Sequence, residues 1–186
     1  MYILGFGGDI LIIAYMENEE LESMEDQSLG AACFAPLIRA YKEEESSGGD
    51  FAGKVYPQLS RGQQALFAFW TYYSHVRDSK TDLYWWSAYF MAIPLRWKAV
   101  QAGLGLFGDK STLKIVKAME AALSERGHPR SLAGFDVSFE DLEHDPPLSA
   151  IVSEHYDQLL SALPATLGHI AAYIKSHREE FIHIRS

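Results

Sequence analysis

Ser60–Val76, with the sequence SRGQQALFAFWTYYSHV, is the segment that decides the fold. Ser60 followed three residues later by Gln63 is a capping-box pattern, in which the hydroxyl accepts from a backbone amide and the glutamine side chain reaches back to the cap. Behind this cap the large apolar residues recur on one arc of a 3.6-residue repeat. They are Leu66, Phe69, Trp70, Tyr73 and Val76, and they predict a helix with one buried face.

The periodic segments further along the chain combine an apolar stripe with a start signal, either a cap residue or a proline. Five helices are predicted in this way: 83–92 after Thr81 and Asp82, 94–103 opened by Pro94, 110–125 capped by Asp109, 148–163 after Pro146 and Pro147, and 167–181 after Pro164. With short connections, these segments indicate a single all-α domain of about seven to nine helices over residues 1–186.

Two segments lack a clear helical period. Tyr2–Tyr15 fits either a short β-hairpin about Gly7 and Gly8 or a helix capped by Asp9. Residues 43–53 run from three glutamates into a serine- and glycine-rich stretch, which predicts a flexible loop between an N-terminal helical pair and the main body.

Composition and cysteine usage define the class of protein. Hydrophobic residues make up 48% and charged residues 22% of the chain, which is the balance of a globular protein. The apolar run from Ile10 to Met16 is too short for a membrane-spanning helix, and no Lys or Arg precedes it as in a signal peptide. We therefore expect a cytoplasmic protein that does not associate with membranes. Cys33 is the single cysteine, and its apolar neighbours predict a buried, inert thiol.

The excess negative charge is concentrated near the N-terminus. Residues 1–50 hold 11 acids and two bases, a net charge of −9, whereas the other 136 residues hold 14 of each. Direct binding to a nucleic-acid backbone is not expected, because that requires a basic surface. A run of six carboxylates is ordinarily a solvated face, but it is also a candidate surface for a basic protein partner. Its residues are Glu17, Glu19, Glu20, Glu22, Glu25 and Asp26.

Aromatic residues are concentrated in one segment, since all four tryptophans lie between Trp70 and Trp97. Trp and Tyr supply large buried area with a polar group and are enriched at binding hot spots. A core helix packed on all sides is the ordinary interpretation. However, Tyr84, Trp85 and Trp86 are successive, so on a helix they point about 100° apart and do not all face one core. At least one ring is expected against a second element or near the surface, which makes these three residues candidates for partner binding.

The glycine-rich stretch Gly103–Gly108, GLGLFG, matches the dinucleotide-binding pattern by letter. That chemistry needs a preceding strand, whereas residues 95–102 have the pattern of a helix. Asp109 then separates Gly108 from Lys110, where a phosphate-binding P-loop has no residue and a carboxylate repels phosphate. We interpret the stretch as a turn between two helices and assign no cofactor.

Two carboxylate–imidazole pairs, Asp141 with His144 and Glu180 with His183, have the three-residue spacing found in di-iron helical bundles. Prolines end the first helix directly after its pair, and the second pair lies near the last residue. His155 lies within an apolar stripe, where a hydrogen-bonded core histidine is the ordinary interpretation. No nucleophile motif is present. We assign no metal ligand and no catalytic residue.

The arrangement of motifs resembles a family of small acidic all-helical bacterial proteins of unknown function that includes a neisserial DNA-mimic protein. The segments that carry the resemblance are Ser60–Trp70, Trp97–Gly108, Phe139–Leu142, Tyr156 and Tyr173–Phe181. The resemblance implies an all-α fold and a non-enzymatic interaction role. Family members have a Gly-Gly-Phe, Gln-Tyr-Phe, Asn pattern where this chain has Leu83–Phe90. Because residues 51–186 carry no net charge, this chain is a weak candidate for a DNA mimic.

These observations favour a non-catalytic cytoplasmic protein that acts by protein–protein interaction, through the acidic N-terminal surface or the aromatic segment. The alternative is a small-molecule- or metal-dependent enzyme with a site among the aromatic helices. The sequence is compatible with a monomer and with a homo-oligomer.

Overall fold

The computed structural model describes residues 3–4 and 10–185, with side chains from Ile12 onward. Helices dominate this part of the chain, which confirms the all-α class. The α-helices are α1 (Asn18–Ser23), α2 (Asp26–Ser46), α3 (Arg61–Val76), α4 (Lys80–Met91), α5 (Pro94–Leu106), α6 (Lys110–Glu125), α7 (Asp141–His144), α8 (Pro146–Ser176) and α9 (Arg178–Phe181). A π-helical turn (Phe51–Val55) and a 3-10 turn (Tyr56–Gln58) lie between α2 and α3. The strands are β1 (Ile3–Leu4), β2 (Ile10–Leu11), β3 (Ala14–Met16) and β4 (Ile182–Ile184).

The chain forms two compact units. Unit 1 comprises residues 1–67 and 167–186, and unit 2 comprises residues 68–166. The boundaries fall within α3 and within α8, so each of these helices contributes residues to both units. Fully buried side chains of unit 1 include Leu21, Leu29, Leu37, Leu66 and Phe181, and those of unit 2 include Tyr84, Leu104, Met119 and Val152.

Helix α3 begins with the predicted capping box. The Gln63 N–H donates to Ser60 Oγ at 3.1 Å, and the Ser60 N–H donates to Gln63 Oε1 at 3.0 Å. All five residues of the predicted apolar stripe are buried. The local pattern and the tertiary burial therefore agree, which confirms the prediction for this segment.

Helix α4 begins earlier than the sequence pattern predicted. The predicted cap at Thr81 and Asp82 is wrong, because Ser79 occupies the N-cap and its Oγ accepts from the Asp82 N–H at 3.0 Å. The Ser79 hydroxyl also donates to the Asp82 carboxylate at 2.6 Å. Ser79 and Asp82 thus form a capping pair with the usual three-residue spacing. The predicted cap of α6 is confirmed, since Asp109 accepts from the Thr112 N–H at 3.0 Å.

Helix α8 is one helix of 31 residues, not the two predicted on either side of Pro164. An internal proline costs a helix about 3 kcal/mol, through a lost hydrogen bond and a steric clash. The apolar stripe keeps its phase across this point, with buried side chains at Leu159, Leu163, Leu167 and Ile170. Burial of each such side chain contributes about 1.5–3 kcal/mol, and the four contributions together outweigh the cost of the internal proline.

The loop predicted for residues 43–53 is shorter than expected. Helix α2 continues through Ser46, and the next helical turn begins at Phe51. Glutamates are good helix formers, so the three of them extend the helix rather than end it. Gly48 has a φ of 72°, a left-handed conformation that suits glycine and stops the helix.

The glycine-rich stretch 103–108 is mostly helical. Gly103 and Gly105 lie within α5, and only the segment around Gly108, with a φ of 75°, forms the predicted turn to α6. The Asp109 N–H donates to the Leu104 carbonyl at 3.0 Å, and the Gly108 N–H donates to the Gly105 carbonyl at 3.2 Å. This pair of bonds is a Schellman motif, a helix C-cap that explains the glycine without a ligand.

The N-terminal strands follow the hairpin alternative. Strand β1 pairs antiparallel with β2, and Ile3 lies opposite Leu11. The predicted turn about Gly7 and Gly8, with Asp9, lies outside the described residues. Strand β3 pairs in parallel with β4, so that Tyr15 lies opposite His183. The sequence pattern did not predict this second pairing.

Helix α9 packs against the start of α3 within unit 1. Glu180 Oε2 accepts from the Gly62 N–H at 2.9 Å and from the Ser60 hydroxyl. A carboxylate at a helix N-terminus is stabilised by the unpaired amides and the helix dipole. Glu180 is therefore used for capping, while His183 packs against the Tyr15 ring with centroids 5.2 Å apart.

Candidate functional site

The three successive aromatic residues of α4 have different environments. Tyr84 is fully buried, whereas Trp85 and Trp86 are half-buried. This result confirms the prediction that the three rings do not share one core, because they point about 100° apart around the helix. Of the three, only the two tryptophans keep some solvent exposure.

Trp85 is the centre of a group of packed rings in unit 2. Its ring stacks nearly parallel with the rings of Tyr89 and Phe139, with centroid distances of 5.3 Å to each and interplanar angles of 8° and 18°. Phe135 meets it edge-on at 5.9 Å, and Trp86 does so at 4.8 Å. We call these five residues the Trp85 cluster. Such ring pairs contribute about 0.5–1.5 kcal/mol each beyond the area that they bury.

The outer end of the stack is open to solvent. Phe139 is 46% exposed, although it is a large apolar residue that already packs against Trp85 on one face. Leu132, in the same segment, is 49% exposed. Residues 131–140 therefore carry two exposed large apolar side chains, of which Phe139 forms the aromatic face of the Trp85 cluster.

Side chains of α4 hold the segment that presents this face. Residues 126–140 form neither helix nor strand, so their position depends on such contacts. The Trp85 Nε1–H donates to the Val137 carbonyl at 3.0 Å. The Tyr84 hydroxyl donates to the Asp141 carboxylate at 2.8 Å, and that carboxylate also accepts from the Ser138 N–H at 2.9 Å. These hydrogen bonds fix Val137, Ser138 and Asp141 against α4.

The Tyr84 hydroxyl also lies 2.8 Å from Nε2 of His128, a residue of the same segment. Burial raises the pKa of Tyr84, and the neighbouring Asp141 carboxylate raises it further. Burial lowers the pKa of His128, against the opposing effect of its bond to the Leu123 carbonyl and the charge of Asp141. The raised pKa keeps the Tyr84 phenol protonated as the donor to Asp141. Because Tyr84 is fully buried, we assign it to positioning of the segment rather than to direct partner contact.

Trp86 is placed by a histidine from α3. The rings of His75 and Trp86 stack with centroids 3.7 Å apart and an interplanar angle of 14°. Burial lowers the pKa of His75, and the charge of Asp82 partly opposes this. A neutral imidazole therefore packs on one face of the indole, which fixes the orientation of Trp86 within the cluster.

Acidic residues are frequent in the stretch of sequence that contains Phe139. Residues 131–145 carry five acids and no Lys or Arg. Two of the acids have structural partners, because Asp141 binds Tyr84 and Asp145 binds Arg126 at 3.2 Å. The other three, Asp136, Glu140 and Glu143, are exposed. The net charge of residues 51–186 is zero, because Lys and Arg elsewhere in that range balance these five acids. The local excess of acids is therefore visible only in a shorter stretch such as residues 131–145.

The predicted acidic surface Glu17–Asp26 lies in unit 1, on α1, on the first residue of α2 and on the residue that precedes each of these helices. Its six carboxylates are all exposed. Two of them have local partners: Glu20 accepts from the Glu17 N–H at 3.4 Å, and Glu22 pairs with Arg178 at 3.0 Å. Exposed pairs of this kind contribute little to stability. The run therefore has the geometry of a solvated, accessible anionic face.

A cavity of about 390 Å³ also lies in unit 1, between β3 and α2. Four charged residues line it, the acids Glu20 and Glu43 and the bases Arg39 and Arg185. Its other lining is small or apolar, including the face of α2 around Pro36. The mixture of charges fits no single acid–base or nucleophile arrangement.

The residues considered for metal or nucleophile chemistry have ordinary environments. Within the described residues no three His, Cys, Asp or Glu side chains converge to hold a metal ion. His144 Nδ1 lies 3.0 Å from the Glu140 carbonyl. The prediction for His155 is wrong, because its buried Nδ1 lacks a hydrogen-bond partner among the described residues. The predicted burial of Cys33 is confirmed, and that burial raises the pKa of its thiol to about 12.

No protein-family model, curated protein or solved structure matches this chain. Across residues 3–4 and 10–185, no helix combines the length and the apolar character needed to cross a bilayer.

Proposed function

We propose that this chain is a non-catalytic cytoplasmic protein that binds another protein through the Trp85 cluster. The observation that carries the proposal is the stack Tyr89–Trp85–Phe139, which ends on a half-exposed ring. Trp and Tyr are enriched among the residues that dominate binding energy. Hydrogen bonds from α4 already fix the segment, so a partner orders little additional chain on binding.

The acidic surface Glu17–Asp26 is the second candidate binding site. Its exposed carboxylates favour a basic partner. The resemblance to the acidic helical bacterial family supports a role in interaction for either surface, and membership of that family stays a prediction. The two surfaces are separable by mutation, because they lie in different units of the chain.

The proposed function is tested by affinity capture from cell extract with mass spectrometry. The wild type is compared with Phe139→Ser, with Leu95→Ser as a matched control, and with Glu19, Glu20, Glu22 and Glu25 replaced by Gln. Leu95 lies on α5 and is 80% exposed, so its replacement removes an apolar side chain outside the cluster that is more accessible than Phe139. We expect one protein to be captured by the wild type, the Leu95 variant and the Gln variant, and lost with Phe139→Ser.

Three results have other meanings. Loss with the Gln variant alone moves the binding site to the acidic surface. Equal loss with both serine variants indicates non-specific adhesion and contradicts the proposal. Absence of any captured protein, together with a metal ion or small molecule that raises the melting temperature, favours the enzyme alternative.

A further inference from the structure

The open end of the aromatic stack has a definite chemical preference. The face of an aromatic ring is negative and its edge is positive, so an exposed face attracts cations. Phe139 stacks on Trp85, and the residue as a whole is 46% exposed. A group of another molecule that packs on Phe139 is therefore favoured if it is flat and positively charged.

The charges beside Phe139 add to the same preference. Glu140 follows it directly, and the exposed carboxylates of Asp136 and Glu143 lie in the same segment. Residues 131–145 themselves contain no Lys or Arg. A nucleic-acid backbone is disfavoured here, because its phosphates and these carboxylates repel each other.

We propose that the partner presents an arginine side chain to this surface, stacked on Phe139 and paired with the neighbouring carboxylates. This inference rests on the proposed function and specifies the chemistry of the partner. The guanidinium group is planar, stacks on aromatic faces and pairs with a carboxylate through two parallel hydrogen bonds. The lysine ammonium is compact and strongly hydrated, so it gains less from a ring face.

The test titrates the full chain with three synthetic helical peptides that differ only in their polar residue. One is built from Leu and Arg, one from Leu and Lys, and one from Leu and Gln. We expect the Arg peptide to bind the wild type about two- to fivefold more tightly than the Lys peptide, as exposed cation–π stacking implies. The Gln peptide is expected to bind weakest, and binding of both basic peptides is expected to weaken as salt is added.

Two variants separate the ring from the charges. Phe139→Leu keeps an apolar side chain but removes the π face, so it is expected to reduce the preference for Arg over Lys to the part that carboxylate pairing supplies. The double variant Glu140→Gln, Glu143→Gln is expected to weaken the binding of both basic peptides and to reduce the dependence of that binding on salt. The Glu140 and Glu143 changes are at exposed positions and are expected to keep the wild-type melting temperature, whereas Phe139→Leu also loses the stack on Trp85 and is expected to lower the melting temperature slightly.

Each other outcome overturns the inference, whereas the proposed function is decided separately by the capture experiment. Equal binding of the Arg and Lys peptides contradicts stacking of a guanidinium group on Phe139. Binding of the Gln peptide as tight as that of the two basic peptides contradicts a role for the carboxylates. If no peptide binds, the inference fails even where a protein partner is captured. If the wild type sediments as a dimer and Phe139→Ser as a monomer, a second copy of this chain covers the ring instead.

Discussion

Gly62→Ala is expected to destabilise the protein by about 1–3 kcal/mol, the cost of an overpacked site. A Cβ at this position lies 2.6 Å from Glu180 Oε2, 2.7 Å from the Phe181 ring and 2.8 Å from the Tyr173 ring. Phe181 is buried and does not move aside freely. The Glu180 carboxylate also loses its position at the start of α3, where it accepts from the Gly62 N–H.

Gly105→Ala is the matched control, because it adds the same methyl group to a helix with nothing within 4 Å. It is expected to be neutral or to stabilise by up to about 1 kcal/mol, since alanine is the better helix former. Urea unfolding monitored by circular dichroism measures both variants. An unchanged unfolding midpoint for Gly62→Ala contradicts the packing of α9 and the end of α8 on the start of α3.

Trp85→Ala is expected to have the second large effect, about 2–3 kcal/mol of stability, which is below the range for a fully buried Trp because the ring is half-buried. The change removes the ring between Tyr89 and Phe139 and the hydrogen bond to the Val137 carbonyl. Residues 126–140 then lose their main contact with α4. Hydrogen exchange is expected to accelerate in this segment, and partner binding is expected to be lost.

Trp85→Phe is the control for this change, because it keeps an aromatic ring in the stack but lacks the N–H donor. It is expected to cost about 1 kcal/mol, the usual net value of one hydrogen bond, and to keep most of the binding. If exchange in residues 126–140 is the same in Trp85→Ala and the wild type, Trp85 does not hold the segment.

Local signals in the sequence predicted much of the fold. The capping box at Ser60, the first-turn Pro94 and the cap at Asp109 were each confirmed, because these signals act within one helical turn. Pro164 was misinterpreted, since a local penalty was outweighed by the burial of side chains on both sides of it. The pairing of β3 with β4 joins residues about 170 positions apart, and no local pattern encodes such a contact.

The candidate site was predicted only in part. The spacing of Tyr84, Trp85 and Trp86 indicated that the rings diverge, and the structure confirms this. Their partners in residues 126–140 carry no periodic pattern, so the contacts of Phe135 and Phe139 with Trp85 were not predictable from spacing. The five acids in residues 131–145 were visible in the sequence, but averaging over the neutral body concealed them.

Binding at the Trp85 cluster is decided by the indole N–H signals in an NMR titration. The chain has four tryptophans, and single Trp→Phe variants assign the four signals. Trp70 and Trp97 are buried, at 7% and 2% exposure, and lie outside the cluster. On addition of the Leu/Arg peptide, we predict that the Trp85 and Trp86 signals shift while those of Trp70 and Trp97 stay in place. Peptide binding that leaves the Trp85 and Trp86 signals unmoved would show that the cluster is not the binding site.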